Sequence, residues 1–348
     1  MMSRIISLFL FVLLLGCGAG QVDPNLVNGP DGVKAKKFAP PKDSEITDIN
    51  SGVAASGKMP PFSNGDRVAF LMDYLASDSL HGREAGSDGI EKAATFIENF
   101  FKENNVQPFF ATYRDTLTNF DGTAYNVVGY LPGKDPKLKD EYVIIGAHYD
   151  HIGILAAENG DSIANGANDN ASGTSSVMEF ARYFGNIGTN KRSIIFALFS
   201  AEEKGLLGSV HLAKKLKSQN LPLYTMLNFE MVGVPLVDKE YKVYVTGYEK
   251  SNLAEVSNRY AESNLVGFLP TAKEFNLFKR SDNYPFDQEF GVPSQTYCTF
   301  DFTNFDHYHK VGDENSLMDY SHMASLVNLM VPVLEGITNA PDKEIKYY

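Results

Sequence analysis

The chain has no tryptophan, only two cysteines and too few bases, and each deficit removes a class of protein. With Cys17 and Cys298 as the only thiols, no disulfide framework supports the fold. Cys298, in "SQTYCTF", reads as a small buried hydrophobe. The 31 Lys and Arg against 43 Asp and Glu leave a formal charge of -12. No basic stripe offsets this, so a nucleic-acid partner is excluded. G-x-S-x-G, H-E-x-x-H and P-loop signatures are all missing, which argues against a serine nucleophile, a single-helix zinc site and a nucleotide hydrolase. Without Trp, the interior rests on 24 Phe and 18 Tyr in 348 residues that are 43% hydrophobic, enough for one large core or two modest ones.

What the chain does have begins with an export signal. "MMSRIISLFLFVLLLGCGAG" combines one Arg, an apolar run and small residues, so residues 1–16 are expected to be a signal peptide. Leu14-Leu15-Gly16-Cys17 resembles a bacterial lipoprotein box, which predicts cleavage before Cys17 and lipid on its thiol. An ordinary signal peptide is the alternative. Residues 17–60, rich in Pro, Gly, Ser and charge, read as a tether, leaving residues 61–348 as a single exported domain whose membrane link is the lipid anchor.

Within that domain "RVAFLMDYLAS" and "GIEKAATFIENFFKENNV" carry amphipathic helical spacing. From about residue 125 apolar runs such as "YNVVGYLPG", "EYVIIGAHYD", "RSIIFALFS", "YTMLNFEMVG" and "KVYVTGY" alternate with helical segments. Strands apolar almost throughout and separated by helices predict an α/β fold, with a mixed, mainly parallel central sheet covered on both faces. Sites in such sheets gather at the carboxyl ends of strands. No internal repeat interrupts this order.

Acids and imidazoles fall where apolar strands end. "VIIGAHYDHIG" sets His148 and Asp150 two apart, on one side of an extended chain, where the carboxylate can orient a ligating imidazole. Asp169 follows in the Gly/Asn-rich turn "NGANDNASGTSS", either as a helix cap or as a ligand able to bridge two cations. Glu202 and Glu203 close "RSIIFALFSAEE"; neighbours splayed to opposite sides of a strand end can serve separately as ligand and base, whereas an isolated pair would only favour a helix start. Glu230 ends "YTMLNFE" among apolar residues, and "FDHYHKVGDE" offers His307 and His309 around Tyr308. His81, His211 and His322 read as surface or packing residues. His148, Asp169, Glu203, Glu230 and His309 make five ligands, the number two cations need when one carboxylate is shared. Mixed nitrogen and oxygen donors without thiolates suit zinc, with cobalt or manganese as substitutes.

These segments, in this order, resemble the M28 co-catalytic zinc peptidases, which include leucyl-type aminopeptidases and glutamate carboxypeptidase. The likeness runs from "LHGREAGSDGIEKAATFIENFFKENNV" through "GAHYDHIG", "GANDNASGTSSVMEFAR", "FSAEEKGLLGS" and "SDNYPF" to "YHKVGDENS". It implies a three-layer exopeptidase fold, a peptide substrate and two zinc ions, one held by His148 and Glu230, the other by Glu203 and His309, with Asp169 between. It also implies Asp150 as orienter of His148, Glu202 as general base, Tyr308 as oxyanion stabiliser and a cis peptide at Asp169–Asn170. Two positions depart from the family pattern: Glu230 replaces the usual Asp, and Asn283 replaces a common His on a pocket wall. An aminopeptidase is expected; a glutaminyl cyclase-like acyl transferase with one zinc and a non-catalytic binding lipoprotein are the alternatives.

Overall fold

The computed structural model describes residues 26–28, 34–36 and 61–348. The signal segment and Cys17 lie outside the described residues. So does the tether, apart from a ribbon in which β1 (Leu26–Asn28) pairs antiparallel with β2 (Lys34–Lys36).

Residues from Pro61 onward form one compact unit around a nine-stranded sheet. Its centre is four parallel neighbours, β13 (Ser294–Cys298), β10 (Leu223–Glu230), β6 (Tyr142–His148) and β9 (Ser193–Phe199). Beyond β9 the sheet turns antiparallel, through β5 (Tyr125–Leu131) to β3 (Gln107–Pro108) and β4 (Arg114–Thr116). On the other edge β11 (Val243–Val245) is antiparallel to β13 and parallel to β12 (Val266–Gly267). A small hairpin, β7 (Ile154–Glu158) with β8 (Asp161–Ile163), stands apart.

The apolar runs are explained by two-sided burial. All seven residues of β9 are buried, and they divide by alternation. Ile194, Phe196 and Leu198 join one core with Val143, Ile145 and Phe180, while Ile195, Ala197 and Phe199 join another with Ile144, Leu212 and Phe286. The first face is covered by α1 (Gly65–Leu75), α2 (Asp88–Glu103), α3 (Gly173–Ile187), α5 (Leu253–Ala261) and α8 (Tyr320–Asn339). The second is covered by α4 (Leu207–Ser218) and α7 (Asn283–Phe290), while short α6 (Pro270–Glu274) adds Ala272 to the first core. The sheet is therefore the middle of three layers, and its strand ends are free to carry chemistry.

One ion-pair network braces the larger core. Glu179 of α3 is fully buried and accepts from Arg182 Nε at 2.9 Å and Nη2 at 2.7 Å, and from the Ser63 hydroxyl at 2.7 Å. Arg67 lies 3.5 Å away, and the Arg182 guanidinium sits over the Phe62 ring. Burial alone would raise the Glu179 carboxyl, but Arg182 and Arg67 bring it below the ordinary value. Its contribution is thus present above the unfolded-state pKa and fades as pH falls through the depressed folded one. Glu179→Ala is expected to cost about 3–5 kcal/mol, because it strands the Arg182 charge. Urea midpoints at neutral pH and below pH 4 check this: the gap between variant and parent should narrow in acid.

Candidate metal centre

His148 is the last residue of β6, paired in register with Phe199, the last residue of β9. From these two neighbouring ends the chain enters loops that meet over the sheet. Asp169 sits in the turn Ala167–Ser172 ahead of α3, and its peptide bond to Asn170 is cis. The turn is held from outside: the buried Asp313 carboxylate accepts the Asn168 and Asp169 N–H groups at 2.8 and 3.0 Å.

The Asp169 carboxylate occupies the centre of the site. His148 Nε2 lies 3.3 Å from Oδ1, and His309 Nε2 lies 3.2 Å from Oδ2. His309, whose φ is +56°, also approaches Glu203 Oε2 at 3.1 Å. Burial alone would raise Asp169, yet His148 and His309 hold it well below the carboxylate range. Conversely, burial would lower His309, and Asp169 with Glu203 lifts it to about 10.

Glu202 and Glu203 do not lie on an extended strand, as alternation had suggested. β9 ends at Phe199, Ala201 takes a left-handed φ of +56°, and the two acids occupy the turn that follows. Their divergence has another cause. The fully buried Asp150 carboxylate accepts the N–H of Glu202 at 3.2 Å and of Glu203 at 3.3 Å, fixing the backbone from which both side chains leave. Glu203 then faces His309, and Glu202 is left among His148, Glu230 and Asp282. Desolvation pushes the Glu202 carboxyl well above its usual value, against the pull of His148. Asp150 also lies 3.6 Å from His148 Nδ1, but the closer partner of that nitrogen is the Asp150 backbone carbonyl, at 3.2 Å.

Glu230 ends β10, where the Ser281 hydroxyl donates to its Oε2, and Asn228 in turn donates to Ser281. Desolvation lifts Glu230 to about 7. It opens onto a cavity lined by Met231, Leu277, Arg280, Phe300, Phe302 and Tyr308. The Tyr308 ring stacks on His309 at 4.0 Å and on Phe300 at 5.4 Å. Asn283 is not on the cavity wall: it is fully buried behind it, bonded to Phe278 and Ser294 carbonyls and to the Thr296 hydroxyl. His307 turns away and packs against Phe305. His211 of α4 is mostly buried, 3.4 Å from the buried Asp115 carboxylate.

Several site residues went unnoticed in the sequence. His151 is fully buried with Nδ1 2.9 Å from Glu203 Oε1; its signal was a third polar residue in "HYDH". Asp282 is buried beside Glu202, and burial raises it to about 7. Arg83 is buried with its guanidinium on four backbone carbonyls, those of Tyr149, Leu75, Asn165 and Gly166. Nothing in "LHGREAG" marks it as internal.

The residues fit divalent cations. Carboxylates of Asp150, Asp169, Glu202, Glu203, Glu230, Asp282 and Asp313 converge here, against the permanent cations Arg83 among them and Arg280 in the cavity lining. So many buried acids are tolerated only where positive charge is supplied. The Nε2 atom of His148 is buried without a hydrogen-bond partner, as a ligand nitrogen would be.

The peptidase family M28 model matches residues 126–334, most of the sheet and every acid and imidazole of this centre. The chain belongs to peptidase family M28. It is 33% identical over 177 residues to aminopeptidase YwaD of Bacillus subtilis, covering 50% of this chain and 35% of that protein. It is 26% identical over 319 residues to leucine aminopeptidase 1 of Trichophyton equinum, covering 82% of each. The LapA aminopeptidase structure of Legionella pneumophila superposes with a TM-score of 0.64 at 22% identity, over 88% of this chain and 76% of that one. The M28 chain spans about half or less of the length of the first curated relatives it matches.

Proposed function

We propose that the chain is a zinc-dependent aminopeptidase with two ions in the centre, acting on short peptides. The observation that carries this reading is the Asp169 carboxylate with one imidazole on each oxygen, His148 on Oδ1 and His309 on Oδ2. One carboxylate flanked in this way divides the donors into two sets, His148 with Glu230 and His309 with Glu203. When bound, zinc would supply Lewis-acid polarisation of the scissile carbonyl and an acidified water.

The chain's own groups do the rest. Glu202, excluded from both ligand sets, accepts the proton of the attacking water and returns it to the leaving nitrogen. Asp150 keeps Glu202 and Glu203 in fixed relation through their N–H groups. The Tyr308 hydroxyl, at the cavity edge, donates to the oxygen that gains charge as the carbonyl is attacked. The wall of Met231, Leu277 and Phe300 takes an apolar side chain of the substrate. The aminopeptidase names of the relatives this chain resembles support an aminopeptidase over a carboxypeptidase.

A panel of peptides with free or blocked ends, read by mass spectrometry with and without a chelator, tests the reading. Loss of single residues from free amino ends, abolished by the chelator and restored by zinc, is expected. Cleavage from carboxyl ends, or cyclisation of amino-terminal Gln, would overturn it. Metal analysis should give two zinc ions per chain; one would favour the cyclase alternative.

We also propose export and anchorage through a lipid on Cys17, supported by the Leu14–Cys17 pattern. Radiolabelled palmitate should enter the parent chain and not Cys17→Ala, and phase partitioning should follow the label.

A further inference from the structure

We propose that His151 is a sixth protein ligand of the centre and closes the coordination of the ion on the Glu203 and His309 side. The proposal rests on the metal-binding reading above and adds a residue to it.

His151 and His309 approach the Glu203 carboxylate on its two different oxygens, and both face Asp169 Oδ2. His151 Nδ1 is 2.9 Å from Glu203 Oε1 and 3.9 Å from Asp169 Oδ2. His309 Nε2 is 3.1 Å from Glu203 Oε2 and 3.2 Å from Asp169 Oδ2. Tetrahedral donors at zinc distances stand about 3.3–3.4 Å apart, and these four separations bracket that value. His151, Asp169 and Glu203 alone already present a three-donor group compact enough for an ion.

The imidazole is built into place. Its backbone N–H donates to the Arg83 carbonyl at 3.2 Å, and a bridge joins His151 to Glu84. Space for the ring comes from Gly166, where a Cβ would stand 2.5 Å from the His151 ring and where φ is +58°. The ring is fully buried, so water does not compete for its lone pair.

The outcome is an unequal pair. On one side His151, Asp169, Glu203 and His309 fill four positions with protein donors, the closed arrangement of structural zinc. On the other, His148, Asp169 and Glu230 leave a position open. The His148 and Glu230 side would be the one to keep a place for water, and it adjoins Glu202 and the apolar cavity.

The test uses the full chain stripped of metal and titrated with cobalt(II). Two equivalents are expected, the tighter with the intense visible bands of four-coordinate cobalt. His151→Gly should weaken that equivalent by more than about 100-fold, beyond the 10–100-fold that loss of an outer hydrogen-bonding partner costs. Added imidazole should restore the bands. In the unmodified chain carrying cadmium-113, a scalar coupling to the His151 ring nitrogen gives the same answer without relying on a variant. A parent-like cobalt spectrum and affinity in His151→Asn, or absence of the coupling, would overturn the proposal and leave His151 as a hydrogen-bond partner of Glu203. Failure of the unmodified chain to bind cobalt at all would instead defeat the metal reading itself.

Discussion

Glu202→Gln is expected to lower kcat by about 10²–10⁴-fold, the range a positioned general base supplies, while both metal equivalents stay bound. The substitution keeps size and hydrogen bonding but removes the proton-accepting charge. Its backbone N–H, which Asp150 holds, is untouched. Glu202 adjoins His148 and Glu230 without sharing the Asp169 oxygens, so the ligand sets survive. Steady-state kinetics on an aminoacyl anilide, with metal content measured on the same sample, separate the two quantities. If activity persists, another group moves the proton; Asp282, buried alongside and raised to about 7, would be the next residue to replace.

The second large effect belongs to Arg83. Arg83→Met should destabilise the metal-free chain by on the order of 4 kcal/mol or more, since four buried carbonyls lose their donor at roughly 1–3 kcal/mol each. Those carbonyls belong to the α1 end, the segment carrying His148 to His151 and the turn leading to Asp169. Burial lowers Arg83 to about 10, opposed by Asp313, Asp150 and Asp169, so it stays charged at neutral pH and lowers the repulsion among the acids. Against a total stability of about 5–15 kcal/mol, most of the variant should be unfolded or lack the site. A urea midpoint within about 1 kcal/mol of the parent would show that the loops hold together by other means.

The layered fold was legible because apolar strands and amphipathic helices write their period into the chain, and β9 illustrates it with seven consecutive buried residues. The outermost strands were not legible, since β3, β4 and β12 are too short to carry a period. At the centre, residues at strand ends stood out by type: His148 after "VIIGA" and Glu230 after "YTMLNF". His151, Asp282 and Arg83 did not, because their burial depends on loops meeting in space. The pair Glu202–Glu203 shows the same boundary. Its division was anticipated, but the reason, one carboxylate from another loop gripping both N–H groups, is a tertiary fact.

The centre gathers residues from position 148 to position 309, with β13 and the loop behind it arriving last in the chain. No amino-terminal portion of the polypeptide can assemble both donor sets, so tight capture of the ions follows formation of the whole sheet. Contacts this distant in sequence are slow to form. A ligand that binds only the finished fold lowers the unfolding rate and leaves the folding rate unchanged. Bound metal should therefore govern how long the folded chain lasts, more than how fast it is made.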